Sequence, residues 1–181
     1  VVVMNVSSMP EPEDKIYHIA FVVGSRLIAE TGGAKNMDNM KWLSYGAASV
    51  LAARSAERSG FARYGDFQGS WEYGLAQSRS WASPAQLMTL ANWSAAAEKH
   101  GPAAVRGVAA LSTHYLADKY GGYPRLGEWM KETNKTGNPA AAFSKVYGMS
   151  VAQLWDRARD VVEPYQGGWA PPANSGSEGT E

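Results

Sequence analysis

Helical periodicity is the feature that most constrains how this chain folds. Apolar residues recur at helical spacing through most of the sequence between residues 13 and 163, and no segment alternates apolar and polar residues as a half-buried strand would. Glycine and proline stand between the periodic segments, where one helix ends and the next begins. The pattern predicts an all-α fold of about six to seven helices.

Glycine, proline and capping residues set the expected helix bounds. The predicted helices are Glu13–Glu30, Asn39–Ser59, Ser83–His100, Pro102–Tyr120, Pro124–Thr133, Pro139–Tyr147 and Ser150–Glu163. On the first of them an apolar stripe runs at helical spacing. Its members are Ile16, Ala20, Val23, Leu27 and Ile28. Segment 61–81 is rich in aromatic residues and glycine, so it is predicted to be an irregular loop with one short helix, and long loops of this kind are often functional.

The two ends of the chain differ from its middle. Residues 166–181 are rich in glycine, proline, serine and acidic residues and are predicted to be a disordered tail. Residues 1–11 are predicted to be a flexible leader. Residues 12–165 are predicted to form one helical domain, and a hydrophobic content of 45% suits a globular core.

Charge and cysteine content exclude several classes of function. Lysine plus arginine and aspartate plus glutamate number 17 each, so no bulk field attracts nucleic acid or anionic lipid. Cysteine is absent, which excludes a disulfide framework, a thiolate metal site and a cysteine nucleophile. The longest apolar run, at 19–23, is far too short to span a membrane. No targeting signal is visible, so the sequence predicts no compartment.

Three segments, taken in order, match the pattern of a known family. They are YHIAFV at 17–22, KWLSYGAA at 41–48, and a third segment at 110–162 that contains Ala142-Phe143 and Gly148-Met149-Ser150. Over residues 13–163 they resemble the helical part of gluzincin-type zinc metallopeptidases. The resemblance implies an orthogonal bundle of helices. The β-rich lobe that usually precedes the zinc helix has no counterpart in this sequence.

The resemblance places four functional positions on this chain. Gluzincin peptidases hold zinc with two histidines of an H-E-x-x-H helix and a glutamate from the next helix, and the first glutamate is the general base. His18 stands where the first histidine would be, whereas Ile19 replaces the base and Val22 the second histidine. Tyr45 replaces the glutamate ligand. Because a catalytic zinc needs at least three protein ligands, we expect no metal, no cofactor, no catalytic residues and no zincin-type peptidase activity.

Two groups of side chains are candidates for a ligand site. The candidates for a cleft are His18, Tyr45, Arg106 and His114. The candidates from segment 61–81 are Tyr64, Phe67, Trp71 and Tyr73. We expect a pocket between that segment and the helix face that bears His18 and Tyr45, because ligand pockets in helical proteins lie between helices.

Structural roles compete with each of the cleft candidates. His18 stands four residues after Asp14 and also suits a paired helical histidine, and Tyr45 also suits a core position that fills the space of the lost metal site. His114 stands four residues before Asp118, which is the spacing of a surface pair. The candidate arginine also suits a solvated charge.

Three hypotheses about function follow. The first is a non-catalytic, peptidase-like domain that acts as a binding or assembly module, with a protein partner or as a homo-oligomer. The second is a non-peptidase enzyme or a binder of a small apolar ligand that reuses the metal-free cleft, with His18 or His114 as acid–base and Tyr45 as hydrogen-bond donor. The third is a fragment of a longer peptidase relative whose other half supplies ligands.

Overall fold

The computed structural model describes residues 9, 11–78 and 80–162, which form a bundle of helices. The α-helices are α1 Pro12–Gly32, α2 Ala34–Met37, α3 Lys41–Arg58, α4 Tyr64–Ala76, α5 Leu90–His100, α6 Pro102–Lys119, α7 Gly122–Thr136, α8 Pro139–Tyr147 and α9 Val151–Val162. Short 3-10 turns cover Asp38–Met40 and Pro84–Leu87. No strand occurs among these residues, so the all-α prediction is confirmed.

The number and extent of the elements differ in part from the prediction. Apart from the four-residue α2, the described residues form eight α-helices, against the six to seven expected. None of these helices is long and apolar enough to cross a membrane. Most of the predicted leader and all of the predicted tail lie outside the described residues.

The glycine-rich segment 61–81 was predicted to be mainly loop, and this prediction is wrong because most of it forms α4. Two of the glycines nearby serve close packing between α4 and α6. A Cβ on Gly74 would lie 2.9 Å from the carbonyl oxygen of Ala103, and a Cβ on Gly107 would lie 2.6 Å from that of Trp71. Glycine here lets two helix backbones approach, whereas in the sequence it resembles loop punctuation.

The predicted helix at 83–100 is divided into two elements. Ser83 and Gln86 cap the 3-10 turn, with the Ser83 N–H donating to the Gln86 side-chain oxygen over 2.9 Å. Thr89 then caps α5, because its hydroxyl oxygen accepts a hydrogen bond from the Asn92 N–H over 3.2 Å. Thr89 therefore starts a second element. The prediction of one continuous helix from the proline at position 84 did not include this second start.

Helices α3 and α6 run through the core and pack closely on each other. Trp42 and Leu43 of α3 and Val108 of α6 are fully buried. Gly46 lies at the point of closest approach, where an added Cβ would overlap the Thr113 hydroxyl and the Ala109 carbonyl oxygen. Helix α1 packs on the other side of α3, and α4 and α5 pack on α6.

Helix α1 does not turn the whole of its predicted apolar stripe toward the core. Ile28 is buried, but Val23 and Leu27 are 53% and 57% exposed. The face toward α3 instead carries Tyr17 and Phe21, which pack against the core. Helix α1 is therefore apolar on two faces. The face with the aromatic residues packs against the core, and part of the aliphatic stripe remains exposed.

Candidate functional site

A cavity of about 470 Å³ opens between α1, α3, α4 and α6. Six of its lining residues carry aromatic rings, and we call it the aromatic pocket. These six are Tyr17, His18, Phe21, Tyr45, Phe67 and Trp71. The polar side chains in its wall are Asp14, Ser70 and Arg106, and Ala103 completes the lining.

Helical spacing explains why these residues meet. On α1 the lining residues Asp14, Tyr17, His18 and Phe21 have the i, i+3, i+4, i+7 spacing, so they share one helix face. The two ring-bearing residues of α4, at positions 67 and 71, are four residues apart and also share a helix face. The two lining residues of α6, at positions 103 and 106, are three residues apart and do the same. Tyr45 completes the wall from the middle of α3.

The rings of the pocket wall contact one another. The rings of Tyr17 and Phe67 are stacked, with centroids 4.8 Å apart, which joins α1 to α4. Phe21 contacts Tyr45 at 5.0 Å, and Tyr45 contacts Trp93 of α5 at 4.9 Å. Tyr45 therefore packs against its neighbours and lines the pocket at the same time. Contacts of this kind contribute about 0.5–1.5 kcal/mol each beyond area burial, so they hold the wall in place.

The two tyrosine hydroxyls of the pocket keep their protons at neutral pH. Burial raises the pKa of Tyr17, although hydrogen bonds to Ser49 and Trp71 and the charge of Arg106 oppose the rise. Burial likewise raises the pKa of Tyr45, against the charge of Arg106. A raised pKa makes a phenolate less accessible, so Tyr45 is a hydrogen-bond donor here rather than an anionic metal ligand.

Two charged side chains of opposite sign lie in the pocket wall. Arg106 and Asp14 are both exposed, and neither takes part in any of the salt bridges found among the described residues. His18 is also exposed and lines the same pocket. The pocket thus offers one cation and one carboxylate on an aromatic floor.

His114 and Tyr64 lie together in a second cluster, outside the aromatic pocket. The Tyr64 hydroxyl and His114 Nδ1 are 2.9 Å apart and share a hydrogen bond. The Arg54 guanidinium lies 3.7 Å from the Tyr64 ring centroid. The predicted surface pair of His114 with Asp118 is therefore wrong: the imidazole bonds to the phenol, and the Asp118 carboxylate pairs with Lys119 at 2.8 Å.

The environment of His114 favours its neutral form. Burial lowers the pKa of His114, with the charge of Asp118 opposing the shift. Burial also raises the pKa of Tyr64. A neutral imidazole and a protonated phenol form a stable hydrogen bond across the contact between α4 and α6, so this cluster serves packing between helices.

The structure brings five of the eight candidate residues into one pocket. These are His18, Tyr45, Phe67, Trp71 and Arg106. The other three lie elsewhere: His114 and Tyr64 form the separate cluster, and Tyr73 is 47% exposed. The expected site between segment 61–81 and the face of His18 and Tyr45 corresponds in position to this pocket.

Sequence reasoning missed Tyr17 and Phe21, which supply much of the pocket wall. A signal for them was present, because Tyr17 stands three residues after Asp14 and Phe21 stands three residues after His18, which is the spacing of one helix face. This spacing does not stand out in the sequence, because the aliphatic residues of the same helix also have helical spacing and are the more obvious candidates for the core. The sequence does not single out Asp14 as a pocket residue, since its position also suits the start of the first helix and a pair with the histidine.

The pocket does not fit a zinc ion. Among the described residues no group of three or more histidine, cysteine, aspartate or glutamate side chains is placed to hold a metal. Around His18 the wall supplies rings, the single carboxylate of Asp14 and the cation Arg106, which falls short of the three ligands that a catalytic zinc needs. No family model, curated protein or solved structure matches this chain.

Proposed function

We propose that this chain is a non-catalytic binding domain, related to the helical part of gluzincin peptidases, whose ligand site is the aromatic pocket. One observation carries the proposal. Four helices hold open a cavity of about 470 Å³ at the positions where the resemblance puts the first zinc histidine, His18, and the third ligand, Tyr45. A cleft that still has volume but has lost its metal ligands suits binding rather than hydrolysis.

The losses at the metal positions argue against zincin chemistry. Ile19 and Val22 have no donor atoms, and Ile19 is 46% exposed on a different face of α1 from the pocket. Tyr45 holds its proton at neutral pH because burial raises its pKa. Neither the ligand set for a water-activating metal nor the glutamate base of the family stands at these positions, which argues against the family's hydrolytic step.

The pocket has the size and lining of a small-molecule site. Ligand pockets typically enclose about 300–1,000 Å³ and combine apolar walls with a few polar groups. Here the stacked pair of Tyr17 and Phe67 forms part of an aromatic wall, and Asp14, Ser70 and Arg106 supply polar groups. An aromatic ligand that stacks on this wall would cover rings that are now open to water.

Isothermal titration with cinnamamide, an uncharged aromatic compound, tests the site. We expect saturable binding to the wild-type chain, and Phe67→Ala should weaken it about two- to tenfold, because one stacking contact is lost. The matched control is Tyr73→Ala, which removes an exposed ring from the same helix outside the pocket. Absence of saturable binding both by cinnamamide and by its charged analogue cinnamate, or equal weakening by both substitutions, would contradict the proposal.

A second candidate function is assembly, and the outer face of α1 favours it. Ile19, Val23 and Leu27 form an exposed apolar ridge beside a groove of about 420 Å³ that Leu51 of α3 also lines. Exposed apolar surface of this kind marks interfaces. Because the ridge of α1 borders the groove between α1 and α3, a copy related by a two-fold axis can place its ridge in this groove.

Light scattering over a range of protein concentrations tests self-association through this face. We expect wild-type chains to form dimers and Val23→Glu to shift them to monomers, since a buried carboxylate without a partner is costly. Leu90→Glu, which changes a leucine of α5 that is 53% exposed, is the control and should leave the dimer intact. A wild-type chain that is monomeric at every concentration would rule out the homodimer.

A further inference from the structure

Arg106 is the cation in the wall of the aromatic pocket. It lies in the second turn of α6 and is exposed, and no described residue forms an ion pair with it. Its guanidinium acts on the hydroxyls of Tyr17 and Tyr45, whose pKa values it lowers against the effect of burial. The donors of a planar guanidinium suit the two oxygens of a carboxylate.

Other polar groups belong to the same lining. Tyr17 and Tyr45 line the pocket, and their hydroxyls, which hydrogen-bond to Ser49, are protonated and carry no charge that would repel an anion. The first turn of α6 contributes Ala103 to the lining, and no side chain caps this helix end. The helix dipole therefore adds a weak preference for negative charge to that of Arg106.

The remaining features limit the class of anion. The rings of Tyr17 and Phe67 stack on each other, and the pair lines the pocket with aromatic surface, which suits a ligand with a planar aromatic body. Asp14 adds a carboxylate to the same lining, and Arg106 is the single arginine or lysine there. One cation balanced by one carboxylate tolerates a monoanion better than a dianion such as a phosphate.

We infer that the aromatic pocket selects an organic monocarboxylate with a planar aromatic body, whose carboxylate binds Arg106 and whose ring stacks beside Phe67. This inference rests on the proposed function, because it names the class of ligand that the same pocket takes. The carboxylate exchanges part of its hydration for hydrogen bonds from the guanidinium. The ring displaces water from the apolar wall.

Isothermal titration with a matched pair of compounds tests the inference. Cinnamate and cinnamamide have the same shape and differ in charge, and phenyl phosphate supplies a dianion. We expect the wild-type chain to bind cinnamate about tenfold more tightly than cinnamamide, the effect of one hydrogen-bonded charge. Arg106→Met should bring the ratio close to one, whereas Arg58→Met, at an exposed arginine outside the pocket, should leave it unchanged. Phenyl phosphate should bind more weakly than cinnamate.

The outcomes separate this inference from the proposed function. Equal binding of cinnamate and cinnamamide, or a preference that survives Arg106→Met, would overturn the monocarboxylate class while the aromatic site stands. Tighter binding of phenyl phosphate than of cinnamate would also overturn it. Failure of all three compounds to bind would overturn both proposals. Circular dichroism should show that each variant retains its helices, because both arginines are exposed.

Discussion

Gly46→Ala is expected to lower the free energy of unfolding by about 3 kcal/mol, the upper end of the range for overpacking a core. An added Cβ would overlap the Thr113 hydroxyl and the Ala109 carbonyl oxygen, both of which belong to α6. A backbone carbonyl in a helix cannot move aside alone, so α3 and α6 would have to separate. The gain of about 1 kcal/mol from replacing glycine by alanine in a helix does not offset this cost.

Gly69→Ala is the matched control for this substitution. Gly69 lies inside α4, and an added Cβ there would meet nothing within 4 Å. The change should therefore leave stability unchanged or raise it by up to about 1 kcal/mol through helix propensity. Urea denaturation of both variants measures the difference. Equal stability of Gly46→Ala and the wild type would show that α3 and α6 do not approach as described.

Trp129→Ala is expected to destabilise the chain by about 3–5 kcal/mol, the usual cost of removing a large aromatic side chain from a core. Trp129 of α7 is fully buried, and its indole N–H donates to the carbonyl oxygen of Pro139 over 3.1 Å. The substitution would leave a cavity and break a hydrogen bond between α7 and α8. Both elements belong to the part of the chain that carries the third segment of the resemblance.

Trp129→Phe separates the two contributions. Phenylalanine keeps a ring in the core and removes the N–H and part of the volume, so its loss of stability should be smaller than that of alanine. Chemical denaturation of both variants gives the comparison. A Trp129→Ala protein as stable as the wild type would contradict the burial of this side chain and the packing of α7 on α8.

The sequence predicts those features of the fold that depend on local signals, such as helix starts and ends. The prediction of α8 at Pro139–Tyr147 has the observed bounds, because a proline at its first turn and Gly148 after its end are local signals. The sequence does not predict helix α4. Position 74 requires glycine because it lies close to Ala103, which belongs to another helix. No local pattern distinguishes a glycine needed for close packing from one that ends a helix.

The sequence predicts those residues of the candidate site that the family resemblance or the composition of segment 61–81 singles out. His18 and Tyr45 came from the motif positions, and Phe67 came from an aromatic segment that lacked clear periodicity. Tyr17 was missed because the choice between two apolar faces of α1 depends on which face α3 covers. The separate position of His114 likewise depends on its contact with Tyr64, which is 50 residues away in sequence.

A crystal structure of the chain with cinnamate tests most directly whether the aromatic pocket is a ligand site. We expect the cinnamate ring to lie beside Phe67 and Tyr17, with its carboxylate oxygens within hydrogen-bond distance of Arg106. The ligand should occupy space that is open in the free chain, with no large shift of the four surrounding helices. A structure with cinnamate bound elsewhere, or with the pocket filled by its own side chains, would contradict the central claim.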